Sequence, residues 1–210
     1  LVDPFLDDCP TCPIDSSDVH CDAMLITHGH FDHVADAVSV ARRTQCPVLC
    51  AFEIAEWLAK QGIEGAVGMN LGGTANVPGG SAKMEMAHHS SSLPDGTYAG
   101  PAASWLLDVG GKRLFIAGDT CLFSDMERIG KPDSQGRQLD LAILPIGDMF
   151  TMGPTDALEA ICLLRPKSVM PCHYGTWPPI EQDVDAWAQC VRDEGVAEPQ
   201  VCVPGQSVTV

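Results

Sequence analysis

Short apolar runs and helical spacings alternate along the chain. Ala23-Met24-Leu25-Ile26 is bounded by polar residues and reads as a buried strand. Over 33–43, Val34, Ala37, Val38, Val40 and Ala41 recur as one helical face. Pro47-Val48-Leu49-Cys50-Ala51 predicts the next strand. A short helix over 53–61 follows, with Ile54, Trp57 and Leu58 on one face and Gly62 as its stop. Strand-like runs recur at 82–87, 141–146 and 167–172, and Gly110-Gly111 joins runs 103–109 and 112–117 as a hairpin. Gly153-Pro154-Thr155-Asp156 opens a helix over 157–164, with proline early and an acid in the first turn. A last helix over 181–193 precedes two closing strands, 201–203 and 208–210. This alternation predicts a layered α/β domain spanning 1–210.

The polar positions add the chemistry. Thr27-His28-Gly29-His30-Phe31-Asp32-His33 follows the first strand directly and packs three imidazoles and a carboxylate into six residues. Imidazole nitrogen and carboxylate oxygen suit zinc and its first-row neighbours. A strand-to-helix loop can aim several side chains at one point. Six of the seven histidines fall into three groups: His28/His30/His33, His88/His89 and His173. Each later group ends a strand-like run, and a further run ends in Gly118-Asp119-Thr120. Four strand ends bearing ligand-type residues predict one shared edge. Of the adjacent pair His88 and His89, only one reaches a given point, because neighbouring strand residues face opposite ways. His20 stands apart and reads as a surface histidine.

Charge and cysteine content narrow the partners. The 12 basic against 28 acidic residues exclude a nucleic-acid partner, which needs clustered Lys and Arg. No apolar run is long enough to span a bilayer, and no secretory signal is visible. Ten cysteines, several inside apolar runs, then read as reduced thiols of a cytoplasmic protein acting on a small molecule. A homo-oligomer stays open. Cys9-Pro10-Thr11-Cys12 lacks the second pair that a structural zinc normally uses.

The order His-x-His-x-Asp-His, lone His, Gly-Asp-Thr, last His resembles the metallo-β-lactamase superfamily. The strings Asp3-Pro4-Phe5-Leu6, Leu144-Pro145-Ile146-Gly147-Asp148, Phe150-Thr151-Met152-Gly153-Pro154 and His173-Tyr174-Gly175-Thr176 resemble its metal-dependent hydrolases of unassigned substrate, relatives of the L-ascorbate-6-phosphate lactonases. The resemblance implies a four-layer αββα sandwich, two mixed β-sheets flanked by helices. It also implies a strand pair upstream of Leu1 or a lost edge hairpin.

The resemblance further implies a binuclear centre of two divalent ions, Zn2+ or alternatively Mn2+. His28, His30 and a later His would hold one ion, and Asp32, His33 and His173 the other, with Asp119 bridging. The family pattern selects His89 for the later place. A hydroxide between the ions would cleave a lactone, ester or phosphoester, with Asp32 able to accept a proton. Asp3 would brace the His-rich loop. Asp148, Thr151, Tyr174 and Thr176 would contact substrate. Two other readings are a di-iron redox protein, known from superfamily members with a fused flavin domain, and a non-catalytic metal-binding relative.

Overall fold

The computed structural model describes residues 1–210. β1 (Met24–Leu25), β2 (Val48–Ala51) and β3 (Ala66–Met69) form a parallel sheet, with Val2 bridged to Leu25 at its edge. The larger sheet holds β4 (Thr74–Val77), β5 (Gly80–Met86), β6 (Ala103–Val109), β7 (Lys112–Ile116), β8 (Leu141–Pro145), β9 (Ser168–Cys172) and β10 (Glu198–Pro199). Its spatial order is β10-β9-β8-β7-β6-β5-β4, parallel from β10 to β7 and antiparallel from β7 to β4. The mixed character therefore lies in the larger sheet.

Side-chain alternation along the strands builds the layers. Ala103, Trp105 and Leu107 of β6 meet Ala82 and Met84 of β5, and Leu25 and Leu49 of the small sheet, in a core between the sheets. The Trp105 indole donates to Ile26 O at 3.3 Å across that gap. The opposite face of the larger sheet, with Phe115, Ala142, Leu144 and Val169, is covered by α4 (Met126–Ile129), α5 (Pro154–Leu164) and α6 (Val184–Glu194). The outer face of the small sheet packs on α2 (Ala37–Thr44) and α3 (Phe52–Lys60). Helices, sheet, sheet, helices is the four-layer order the resemblance implies.

The direction of the strands places the functional edge. β5, β7, β8 and β9 all run the same way, so residues 87–89, 117–119, 146–148 and 173 emerge along one border. The end of β1 joins that border: Thr27 O accepts from Ala103 N at 2.9 Å. Carboxyl ends of strands are where α/β folds place their ligands.

Two expectations need correction. The helix over 33–43 is divided into α1 (Phe31–Val34) and α2, because Asp36 leaves helical geometry and its buried carboxylate accepts from Leu6 N at 2.7 Å and Asp7 N at 3.3 Å. Residues 201–203 and 208–210 are not strands. The last strand is β10, two residues long, and the β-branched residues beyond it have no neighbouring strand to pair with. No helix is long and apolar enough to cross a membrane.

Candidate metal centre

Four strand ends bring five imidazoles and two carboxylates together. His28 is wholly buried, and its Nε2 lies 3.0 Å from His30 Nδ1. Candidate ligand atoms of His28, His30 and His89 lie within 4.8 Å of one another, and so do those of Asp32, His33 and His173. Asp119 stands between the two groups. Its Oδ2 is 3.9 Å from His28 Nε2, 3.6 Å from His89 Nε2 and 3.2 Å from His173 Nε2, and its Oδ1 is 3.5 Å from His33 Nε2. Asp32 Oδ2 lies 3.6 Å from His33 Nε2 and 3.5 Å from His173 Nε2.

His88 points elsewhere. Its ring stacks on Phe123 at 4.9 Å, and its Nε2 lies 3.0 Å from Met86 Sδ. Alternation at the end of β5 thus sends one imidazole to each side.

A hydrogen-bond relay orients two imidazoles and fixes the tautomer of His28. A carboxylate only accepts, so His33 Nδ1–H donates to Asp3 Oδ2 at 2.8 Å. The single Thr27 hydroxyl proton goes to the same oxygen at 2.6 Å. Thr27 Oγ1 must then accept from His28 Nδ1, 3.0 Å away. His28 therefore turns an unprotonated Nε2 toward Asp119, while His33, its Nδ1–H committed to Asp3, keeps Nε2 for the centre. His33 Nε2 is buried and has no hydrogen-bond partner. A buried ring nitrogen without a partner costs free energy, and a metal ion suits that nitrogen in chemistry and position.

Ligation needs neutral imidazoles and ionised carboxylates, and the surroundings of His28, His30, His89, Asp32 and Asp119 favour those forms. Burial, with the neighbouring imidazoles, drives the His28 pKa far below its ordinary value, and burial lowers those of His30 and His89. Burial works against ionised Asp119, but the His33 hydrogen bond and the surrounding imidazoles outweigh it and hold its pKa low. Asp32 is likewise held low against burial, chiefly by His173. His33 is the exception: against burial, Asp3 and Asp119 raise its pKa well above the usual value and favour the protonated ring, so a metal ion there would have to displace a proton.

Backbone geometry at the border is strained. His173 adopts φ +53° and Asp3 φ +46°, a region few non-glycine residues enter. Such outliers cluster where a side chain must be aimed. Gly118 at φ +60° lets the Asp119 turn sit on Thr27, where a Cβ would come within 2.8 Å. A Cβ on Gly29 would lie 2.4 Å from Ala99 Cβ, so the loop after His89 rests directly on the His-rich loop. Gly29 N donates to Ser91 Oγ at 3.2 Å, completing that contact.

The four residues expected at substrate stand on the same border. Asp148 at φ +61° spends Oδ1 on Met149 N at 2.8 Å, and Thr151 Oγ1 donates to Met152 O at 3.2 Å. Tyr174 packs against the helix-side core, and burial raises its pKa. Thr176 is half-buried beside them. Sequence reasoning passed over Thr27, Ser90 and Ser91. Ser90 Oγ lies 3.4 Å from His30 Nε2. Their adjacency to His28 and His89 is the signal that would have found them.

Comparison with known proteins identifies the family. Residues 1–174 match the family described as beta-lactamase superfamily domain. A UPF0173 metal-dependent hydrolase of Thermus thermophilus is 48% identical over 206 residues, covering 98% of this chain and 88% of the relative. One from Deinococcus radiodurans is 42% identical, covering 99% and 89%. Igni18, a metallo hydrolase of the archaeon Ignicoccus hospitalis, superposes with a TM-score of 0.80 at 36% identity, over 91% of this chain and 80% of that one. Fold and site define a metal-dependent hydrolase of the metallo-β-lactamase kind. The chain belongs to the beta-lactamase superfamily and, within it, to the UPF0173 metal-dependent hydrolases.

Proposed function

We propose that this chain is one catalytic domain with a binuclear centre, hydrolysing a lactone, ester or phosphoester of a small molecule in the cytoplasm. The observation that carries the reading is Asp119, whose carboxylate faces imidazoles of both groups at 3.2 to 3.9 Å. His28, His30 and His89 would hold one divalent ion, and Asp32, His33 and His173 the other, with Asp119 shared. A set rich in imidazole suits Zn2+, and Mn2+ is the alternative. Bound there, two such ions supply Lewis acidity and lower the pKa of water toward neutrality.

The protein's own groups do the rest. Asp3 and Thr27 hold the His28 and His33 rings so that each presents Nε2. Asp119 stays ionised and fixes the spacing of the two groups. Asp32, ionised and 12% exposed at its side chain, accepts a proton from the attacking water and can return it to the leaving oxygen. Asp148, Thr151, Tyr174 and Thr176 line the approach.

The test has two parts. Metal analysis of protein purified without chelator should give about two ions per chain. A panel of lactones, carboxylic esters and phosphodiesters, assayed with Zn2+ and with Mn2+, should then show turnover that chelation abolishes. A stoichiometry near zero under metal-replete conditions sinks the reading.

A further inference from the structure

Three aromatic rings stand together beside the centre. Phe5, Phe31 and Trp177 form a triangle with ring centroids 5.8 to 5.9 Å apart. Each belongs to a segment that carries a site residue. Phe5 lies two positions after Asp3, Phe31 between His30 and Asp32, and Trp177 four positions after His173. The triangle is not core filling, because Phe31 is 55% exposed. The exposed aromatic side chains of the chain are Phe31, Phe52, Tyr98 and Phe150. Phe31, at the start of α1, and Tyr98 and Phe150, on loops, all belong to the functional border. Phe150 belongs to the turn seated on His173, since a Cβ on Gly147 would fall 2.2 Å from His173 O.

The charge around the border is one-sided. Segments 2–7, 26–36, 87–102, 117–127, 145–154 and 172–183 contain acids but no Lys or Arg. Two metal ions would polarise a carbonyl or a phosphoryl oxygen equally well, so they do not discriminate. The difference lies in what remains. A phosphoester brings further charged oxygens that proteins meet with Arg or Lys. An ester or lactone brings an otherwise neutral body, and a planar one stacks on aromatic rings.

We infer that the substrate is a neutral carboxylic ester or lactone carrying an aryl or other flat apolar group, which lies on Phe31 and Trp177 while its acyl carbon enters the centre. The inference rests on the hydrolase reading above and narrows it. Water oxygen bonds to the acyl carbon, the acyl carbon–oxygen bond breaks, and the alcohol oxygen leaves with a proton. No oxidant or co-reactant is needed.

The experiment combines binding and turnover. Acetophenone, a neutral aryl ketone that cannot be hydrolysed, is titrated into the full-length protein by ligand-observed NMR, with phenyl phosphate as the charged counterpart. Phe31→Ala should weaken acetophenone about tenfold, and Phe31→Tyr should restore it, since the ring is what is lost and regained. In metal-loaded protein the ratio of kcat/KM for phenyl acetate to that for methyl acetate should fall about tenfold in Phe31→Ala. Equal acetophenone affinity in wild type and Phe31→Ala, or phenyl phosphate turned over faster than phenyl acetate, overturns the inference. If acetophenone binds through Phe31 but no ester is cleaved, the aromatic subsite stands and the hydrolase reading falls. If esters are cleaved without aryl preference, the reverse holds.

Discussion

Asp3→Asn isolates the tautomer relay, because the amide keeps the shape of the carboxylate and changes only what one atom can donate or accept. In the wild type Oδ1 accepts from Thr27 N at 2.7 Å, while Oδ2 accepts from Thr27 Oγ1 at 2.6 Å and His33 Nδ1 at 2.8 Å. Asparagine has a single acceptor oxygen. If its NH2 replaces Oδ1, two N–H groups oppose each other at Thr27. If it replaces Oδ2, the amide donates to His33 Nδ1, and the ring must carry its proton on Nε2, the atom aimed at the centre. Bonds to a charged partner are worth roughly 1.5–3 kcal/mol, and one acceptor survives, so metal-free protein should lose about 2–3 kcal/mol. Changes to the partners of ligating histidines cost roughly 10–100-fold in metal affinity, about 1.4–2.7 kcal/mol. The assays are urea unfolding of metal-free protein and competition with a chromophoric chelator. Wild-type metal affinity in Asp3→Asn would refute the relay, whatever the change in stability.

Asp119→Ala should reduce turnover to near background while circular dichroism retains the wild-type strand and helix signal; near-normal rates would remove Asp119 from its shared position. Gly29→Ala should destabilise by about 1–3 kcal/mol through overpacking, read as a lower urea midpoint, because its Cβ would meet Ala99 Cβ at 2.4 Å. Glu85, buried on the helix-side face of β5, pairs with Lys83 at 2.6 Å and Arg128 at 2.7 Å, and these partners lower its pKa against the opposing effect of burial. A lowered folded value means its stabilisation is full above the unfolded pKa of about 4.3 and is lost as pH falls through the folded one. Glu85→Gln should therefore lie below wild type at pH 7 and converge with it in acid; a gap independent of pH would contradict the pairing.

What the sequence disclosed follows the range of the interactions. The His-rich loop was legible because its ligands are consecutive, and β6, β7 and their glycine turn because two-residue periodicity and turn chemistry are local. Pairing is not local. Val201 to Val203 have strand composition, yet strand structure also needs a partner backbone, and β10 at Glu198–Pro199 had already taken the edge of β9. The break between α1 and α2 depends on Asp36 being claimed by the backbone of Leu6 and Asp7. The choice between His88 and His89 needed the direction of β5. Asp3 could be guessed as a brace, but its relay through Thr27 to His28 required atoms from three segments.

The centre draws its first imidazoles from residues just after β1 and its last from the end of β9. A ribosome delivers these in order. The His-rich loop is exposed, ligands and all, long before His173 leaves the exit tunnel, and until then the second group has only Asp32 and His33. The full set of candidate ligands is thus present only late in biosynthesis. A nascent chain thus carries its early histidines well before the last candidate ligand is in place. An ion that needs both groups would therefore meet them together only after His173 has been made.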